Sequence, residues 1–296
     1  MNAPILVTGA EGQVGRALVA LGAADGVVGL GRAGLDITNA VAIADVMAHH
    51  RPRLVINAAA YTAVDAAEDD EARAYAVNAA GAEALARAAF QAGAGFIHLS
   101  TDYVFSGEGA RPYLEDDPTG PINTYGRTKL AGELAVLAAH EGACVVRTSG
   151  VYAPMGHNFV RTMVGLASTR DRVRVVADQH TTLTHAEDLA TALLALAAQG
   201  LGRNGLRMLH LTGQGTATWF AFAEAIFARV AATDTKVAVL EPTRARDWPA
   251  RARRPAYSVL DCGLASANYG CNLPVWQDGL RRCLDQILDS QKPNRG

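Results

Sequence analysis

The chain has 296 residues, half of them hydrophobic, with a formal net charge of -2. That length exceeds one ordinary domain and suggests a large domain with a smaller satellite, while the composition excludes a disordered chain. The charge gives no global attraction to nucleic acid or to an anionic membrane surface, so a small-molecule partner is expected. There is no basic leader and no run of about 18 apolar residues, which places the protein in the cytoplasm. Cys144, Cys262, Cys271 and Cys283 lack CxxC spacing and read as free thiols.

Residues 5–8 form an apolar run that leads directly into Gly9, Gly12 and Gly15. Such a turn between a first strand and a first helix lets the backbone approach a pyrophosphate, whose charge the helix N-terminus stabilises. The same glycines would also serve a tight turn with close helix packing. Residues 26–30 read as a second strand. At its end, where NAD-preferring sites place a carboxylate for the adenosine ribose, the chain has Gly31 and then Arg32. An arginine there suits a 2′-phosphate, so NADPH is expected ahead of NADH. Asp36 and Ile37 follow as candidates for the adenine edge, and Asp36 also suits a helix cap.

Short apolar runs at 54–57, 95–99 and 143–147 continue the strand series, separated by alanine-rich helices such as 71–92. The alternation predicts an α/β protein with a parallel sheet covered by helices on both faces. The strand 95–99 runs on into Ser100 and Thr101, and active sites of open parallel sheets lie beyond the strands' carboxyl ends. Tyr125 and Lys129 stand four apart in a helical segment, hence on one face a turn apart. An ammonium beside a phenol favours the phenolate and brings the tyrosine nearer to working pH. YxxxK alone marks many solvated helix faces; following a nucleotide turn and a strand-end hydroxyl, it reads as catalytic.

After Gly150 the rhythm loosens, and residues 151–178 read as polar, glycine-containing loops rather than another βαβ unit. A helix and an apolar strand at 207–211 then return the chain to the first sheet. A further helix, a strand at 237–240, an arginine-rich loop and an amphipathic helix at 275–288 complete it. The expected division is 1–150 plus 184–212 for the dinucleotide domain, and 151–183 plus 213–296 for the substrate lobe.

Several stretches are similar to the dTDP-4-dehydrorhamnose reductase family: GAEGQVG at 9–15, NAAAYTAVDAAE at 57–68, HLSTDYVFSG at 98–107, YGRTKLAGE at 125–133, RTSGVY at 147–152 and RRPAYSVLD at 253–261. The resemblance implies a Rossmann-type doubly wound parallel sheet with a smaller α/β substrate-binding lobe. It also implies NAD(P)H-dependent reduction of the C4 keto group of a dTDP-4-keto-6-deoxy sugar. It assigns Gly12, Gln13 and Val14 to the pyrophosphate turn and Ala58, Ala59, Ala60, Tyr61 and Thr62 to the cofactor's border. Thr101, Tyr125 and Lys129 take the catalytic places, and Asp102, Tyr103, Asn158 and Arg254 the substrate side. A homodimer fits the same resemblance.

Three departures stand out: Gly150 where the family commonly has a tryptophan against the substrate, DQHTTLT at 178–184 where it has DQxGxPT, and the missing acid at Gly31. They bear on which sugar is accepted. The wider family includes Mg²⁺ binders, with Glu187 at the matching place, but one carboxylate builds no site. His98, His157, His180 and His185 have no metal-ligand spacing, so no metal ligand is assigned. Two alternatives stay open: an epimerase or dehydratase on the same scaffold, and a regulatory subunit that binds nucleotide without turnover.

Overall fold

The computed structural model describes residues 3–203, 205–233 and 237–290. Six parallel strands form the main sheet: β1 (Ile5–Thr8), β2 (Val27–Leu30), β3 (Leu54–Asn57), β4 (Gly95–Thr101), β5 (Cys144–Thr148) and β10 (Met208–His210), in the spatial order β10-β5-β4-β3-β1-β2. Side chains alternate across each strand, so Ile5 and Val7 enter one apolar layer and Leu6 the opposite one. The first layer is closed by α1 (Gln13–Leu21) and α8 (Ala186–Ala198), through Leu18, Leu189 and Leu193. The second is closed by α2 (Ala40–His50), α5 (Ala82–Gln91) and α6 (Thr124–Ala139), through Ile43, Leu85 and Val136. Burial on both faces is why these strands read as unbroken apolar runs.

The register aligns Thr8 with Leu30 and Asn57, Asn57 with His98, and Thr101 with Thr148. Five strands therefore end along one edge. Chain order reverses between β1 and β3, which makes this edge a topological switch point, where open α/β sheets bind ligands.

The helix expected at 71–92 is present and widens once, into a π turn. Helix α3 (Val64–Ala67) is followed by α4 (Glu71–Tyr75), a π turn at Ala76–Gly81, and then α5. The widened turn faces Asn78 inward, where it accepts the Tyr61 N–H (2.8 Å) and donates to the Tyr61 carbonyl (3.1 Å) and the Thr128 hydroxyl (3.0 Å). The π turn thus pins the loop after β3 to α6.

A second difference lies at 151–178, read as loop but carrying β6 (Val151–Tyr152), α7 (Phe159–Thr169) and β7 (Arg172–Val176). The signal was present: Asn158 caps α7 by accepting the Arg161 N–H (3.1 Å), and Val160, Met163, Val164 and Ala167 bury one face. These apolar residues join a separate core with α9 (Trp219–Ala231) and α11 (Trp276–Ser290), centred on Tyr152, Phe222 and Trp276. The strand expected at 237–240 is displaced to β12 (Val239–Thr243), which pairs in parallel with β7.

Candidate active site

At the switch point a cleft of about 620 Å³ opens over the strand ends. Its floor is the glycine turn. Gly9 has φ +69°, and a Cβ there would lie 2.6 Å from the Ala59 amide nitrogen, so only glycine lets the turn close against the loop after β3. Gly12, Gln13, Val14 and Gly15 line the same floor, with the N-terminus of α1 turned into the cleft. Ala58, Ala59, Ala60, Tyr61 and Thr62 form one wall, and Arg32, Asp36 and Ile37 the end beyond β2. The Asp36 carboxylate accepts from the Thr38 N–H (3.0 Å) and hydroxyl (2.7 Å), which lower its pKa, and stands 3.5 Å from the Arg32 guanidinium. Arg32 is exposed, with its guanidinium paired to Asp36.

The absence of an acid at Gly31 has a steric counterpart: a Cβ at this position would sit 2.5 Å from Cδ of Glu11. The Glu11 side chain thus occupies the space a residue at 31 would use, and it lines the cleft beside Arg32.

Thr101, Tyr125 and Lys129 all line the same cleft. Asn123 caps α6 by accepting the Gly126 N–H (2.7 Å), which fixes where the helix starts and so which turn carries Tyr125. Burial pushes the Tyr125 phenol up to about 12, a hydrogen bond with Thr101 draws it down, and the Asp102 charge raises it. The expected depression of this phenol by Lys129 is not the arrangement found. Lys129, 1% exposed, is turned down into the sheet, where Nζ donates to the Leu99 carbonyl (2.7 Å) and stands 3.3 Å from His98 Nε2. Burial pulls Lys129 down to about 8.

The substrate-side residues are placed less uniformly. Asp102 lines the cleft but is 3% exposed; its carboxylate accepts from the hydroxyls of Ser258 (2.5 Å), Thr101 (3.1 Å) and Thr181 (3.5 Å). Burial pushes it up to about 6 against those hydrogen bonds. Tyr103 stacks edge-on against Tyr125, with centroids 5.8 Å apart, and does not line the cleft. Asn158 does not line it either. Besides capping α7, its amide donates to Gln13 Oε1 (3.0 Å) and to the carbonyls of Ala153 (2.8 Å) and Met155 (3.2 Å), which ties α7 to the glycine turn. Arg254 meets both oxygens of Asp65 at 2.7 Å, an ion pair that holds the Asp65 carboxyl down at about 2.

Three further hydroxyls face the strand ends: Ser100, Thr148 and Ser149 also line the cleft, and those of Ser100 and Thr148 are buried without a protein partner. Thr148 pairs in register with Thr101, so the rule that singled out Thr101 applies to it equally. The close-approach glycine floor and these unpaired hydroxyls fit a dinucleotide lying across the switch point. Among the described residues no group of three or more His, Cys, Asp or Glu stands together to hold a metal, and the Glu187 carboxylate accepts from Gln286 (3.4 Å). The Mg²⁺ suggested by resemblance therefore finds no support.

The sheet order, the glycine turn and the cleft at the switch point define a Rossmann-type oxidoreductase. The chain belongs to the RmlD substrate binding domain family, whose match runs over residues 1–288. It is 40% identical to a dTDP-4-dehydrorhamnose reductase of Sinorhizobium fredii, over 96% of this chain and 97% of the relative. It is 41% identical to a probable dTDP-4,6-dihydroxy-2-methyloxan-3-one 4-ketoreductase of Streptomyces antibioticus, over 97% of each. Among solved structures it is similar to a dTDP-4-dehydrorhamnose reductase of Bacillus anthracis in complex with NADP. The TM-score is 0.90 at 35% identity, covering 97% of this chain and all of that one.

Proposed function

We propose that this chain reduces the C4 keto group of a dTDP-4-keto-6-deoxy sugar, converting dTDP-4-dehydro-L-rhamnose to dTDP-L-rhamnose. The observation that carries the reading is that Thr101, Tyr125 and Lys129 line one cleft, floored by the glycine turn. NADPH, when bound, supplies the hydride. Gly9, Gly12, Gln13, Val14 and Gly15 would hold its pyrophosphate, Arg32 its 2′-phosphate, Asp36 and Ile37 its adenine, and Ala58 to Thr62 its flank. Thr101, whose hydroxyl donates to Asp102 in the free protein, turns that donor to the substrate carbonyl, and Tyr125 gives its proton to the developing alkoxide. A phenol with its pKa held high stays protonated and is suited to that task. Tyr103 backs the Tyr125 ring, Arg254 binds the sugar nucleotide from the arginine-rich loop, and Asp102 shapes the sugar end through its hydroxyl cluster.

Two lobes suit this chemistry: 1–150 plus 184–212 for the dinucleotide, and 151–183 plus 213–296 for the sugar nucleotide. The enzyme acts in the cytoplasm; among the described residues no helix is long and apolar enough to cross a membrane. A homodimer is the assembly to test, by light scattering.

A second reading, another dTDP-sugar 4-ketoreductase, is favoured by Gly150. Its φ is +53°, and a Cβ would lie 2.6 Å from the Thr182 carbonyl oxygen, so the tryptophan of the family pattern has no room here. NADPH oxidation with a panel of 4-keto sugar nucleotides separates the readings. Turnover of dTDP-4-dehydro-L-rhamnose with the highest kcat/KM supports the first, a higher value for another 4-keto sugar supports the second, and no turnover of any refutes both.

A further inference from the structure

Lys129 and His98 form a contact that the reaction as described does not use. His98 is fully buried; Nδ1 lies 3.0 Å from the Asn57 side-chain nitrogen, and Nε2 lies 3.3 Å from Lys129 Nζ. One backbone group decides where the protons are. The Ala59 N–H points at Asn57 Oδ1 (3.1 Å), and a backbone donor cannot reverse, so that atom is the amide oxygen. The Thr8 hydroxyl donates to the same oxygen (2.7 Å). Asn57 therefore presents its N–H to His98, and Nδ1 must accept. A second ring proton would set two donors against each other, so the ring is neutral and its one proton is on Nε2, aimed at Lys129.

An ammonium has no lone pair to receive that proton, whereas an amine has one and can still donate to the Leu99 carbonyl. We propose that His98 is a positioning residue that holds Lys129 as a neutral amine in the free protein, and that Lys129 takes up one solvent proton when a dinucleotide binds. The proposal rests on the dinucleotide reading of the cleft. A bound dinucleotide brings two phosphate charges and ribose hydroxyls into this cleft, and both favour the ammonium.

The charged and titratable groups around Lys129 are few. On its own helix, Glu133 favours the charged form, but its carboxylate is already engaged by Arg147 of β5 at 2.9 and 2.7 Å. Tyr125 precedes it by one turn, and Asp102 follows β4 within a hydroxyl cluster of its own. Burial depresses both Lys129 and His98, in agreement with the geometry. The charge expected from the YxxxK pattern would then arrive with the cofactor.

Two measurements test this, the first without any ligand. Nitrogen chemical shifts of ¹⁵N-histidine-labelled protein should show His98 protonated at Nε2 and bare at Nδ1; a proton on Nδ1 overturns the proposal whether or not dinucleotide binds. The second is calorimetric titration with NADPH in two buffers of different ionisation enthalpy, at about pH 9, where an ordinary lysine is still mostly charged. Uptake should approach one proton per site in the wild type and vanish in Lys129→Met. In His98→Leu the uptake should move to higher pH. Tight binding with no wild-type uptake overturns the proposal, and failure of NADPH to bind overturns the dinucleotide reading instead.

Discussion

Tyr125 and Asp102 stand close together, and burial raises the pKa of both, with different consequences. For Tyr125 the shift to about 12 keeps the proton on the phenol until a reacting oxyanion takes it. Tyr125→Phe should lower kcat by about a hundredfold or more, the usual scale of a lost general acid, while a fluorescence titration shows NADPH affinity retained. Asp102 carries a stability cost. Its folded value of about 6 lies above the ordinary 3.8, so its contribution is favourable below about pH 4 and is lost as the pH rises through about 6. Asp102→Asn should therefore melt above the wild type at about pH 8 and show no such advantage at about pH 4. Equal melting temperatures at both pH values would mean that the surrounding hydroxyls fully compensate the buried charge. The glycine turn and the Tyr125–Lys129 pair were legible in the sequence because their spacing is local. The Asn57–His98 bond spans 41 residues and the Ser258–Asp102 bond 156, and no local pattern announces either.

At the scale of elements, two contacts tie distant segments together. The Arg254–Asp65 pair ties the arginine-rich loop to α3, with Ala252 also donating its N–H to Asp65 (2.9 Å). If the pair aims Arg254 at a diphosphate, Arg254→Ala should raise KM for the sugar nucleotide roughly tenfold or more, as expected for about 1.5 to 3 kcal/mol of charged hydrogen bonding. NADPH affinity should not change; a collapse of NADPH binding with KM unmoved would assign the loop to the cofactor. The second contact joins two departures from the family pattern. The Thr182 carbonyl of the 178–184 segment occupies the space a side chain at 150 would need, and the Ser149 hydroxyl donates to it (2.9 Å). The departure at Gly150 thus packs directly against the segment that carries the other two, the lost glycine and proline. Gly150→Ala should cost on the order of 2 kcal/mol, a fall in Tm of roughly 4 to 8 °C in a chain of this size. An unchanged Tm would show that the segment yields freely. Periodicity revealed most strands, since both faces are buried. It missed the π turn, whose Asn78 bonds to Tyr61 17 positions away, and α7, whose apolar face meets residues more than 50 positions away.

For the whole molecule, the sheet edge gathers five strand ends into one cleft, and the second core packs α7, α9 and α11 beside it. The parallel sheet was open to reading because apolar runs alternate with helical patterns, whereas the order of its strands is seen only in the structure. The direction of Lys129 was not open to reading either, since it depends on a ring and an amide contributed by two other strands. Cofactor choice is a prediction at this scale: Arg32 would favour a 2′-phosphate, and the Glu11 carboxylate in the same lining would oppose it. Wild-type kcat/KM should favour NADPH over NADH, and Glu11→Ala should widen that ratio; an NADH preference would remove Arg32 from the selection. The central claim is hydride delivery to C4 of the sugar, and the transfer of isotope tests it most directly. Reaction of dTDP-4-dehydro-L-rhamnose with NADPH carrying deuterium at both nicotinamide C4 positions, followed by NMR of the product, should place one deuterium at C4 of a rhamnosyl ring. Unreduced ketone, or a product without deuterium at C4, would contradict the account.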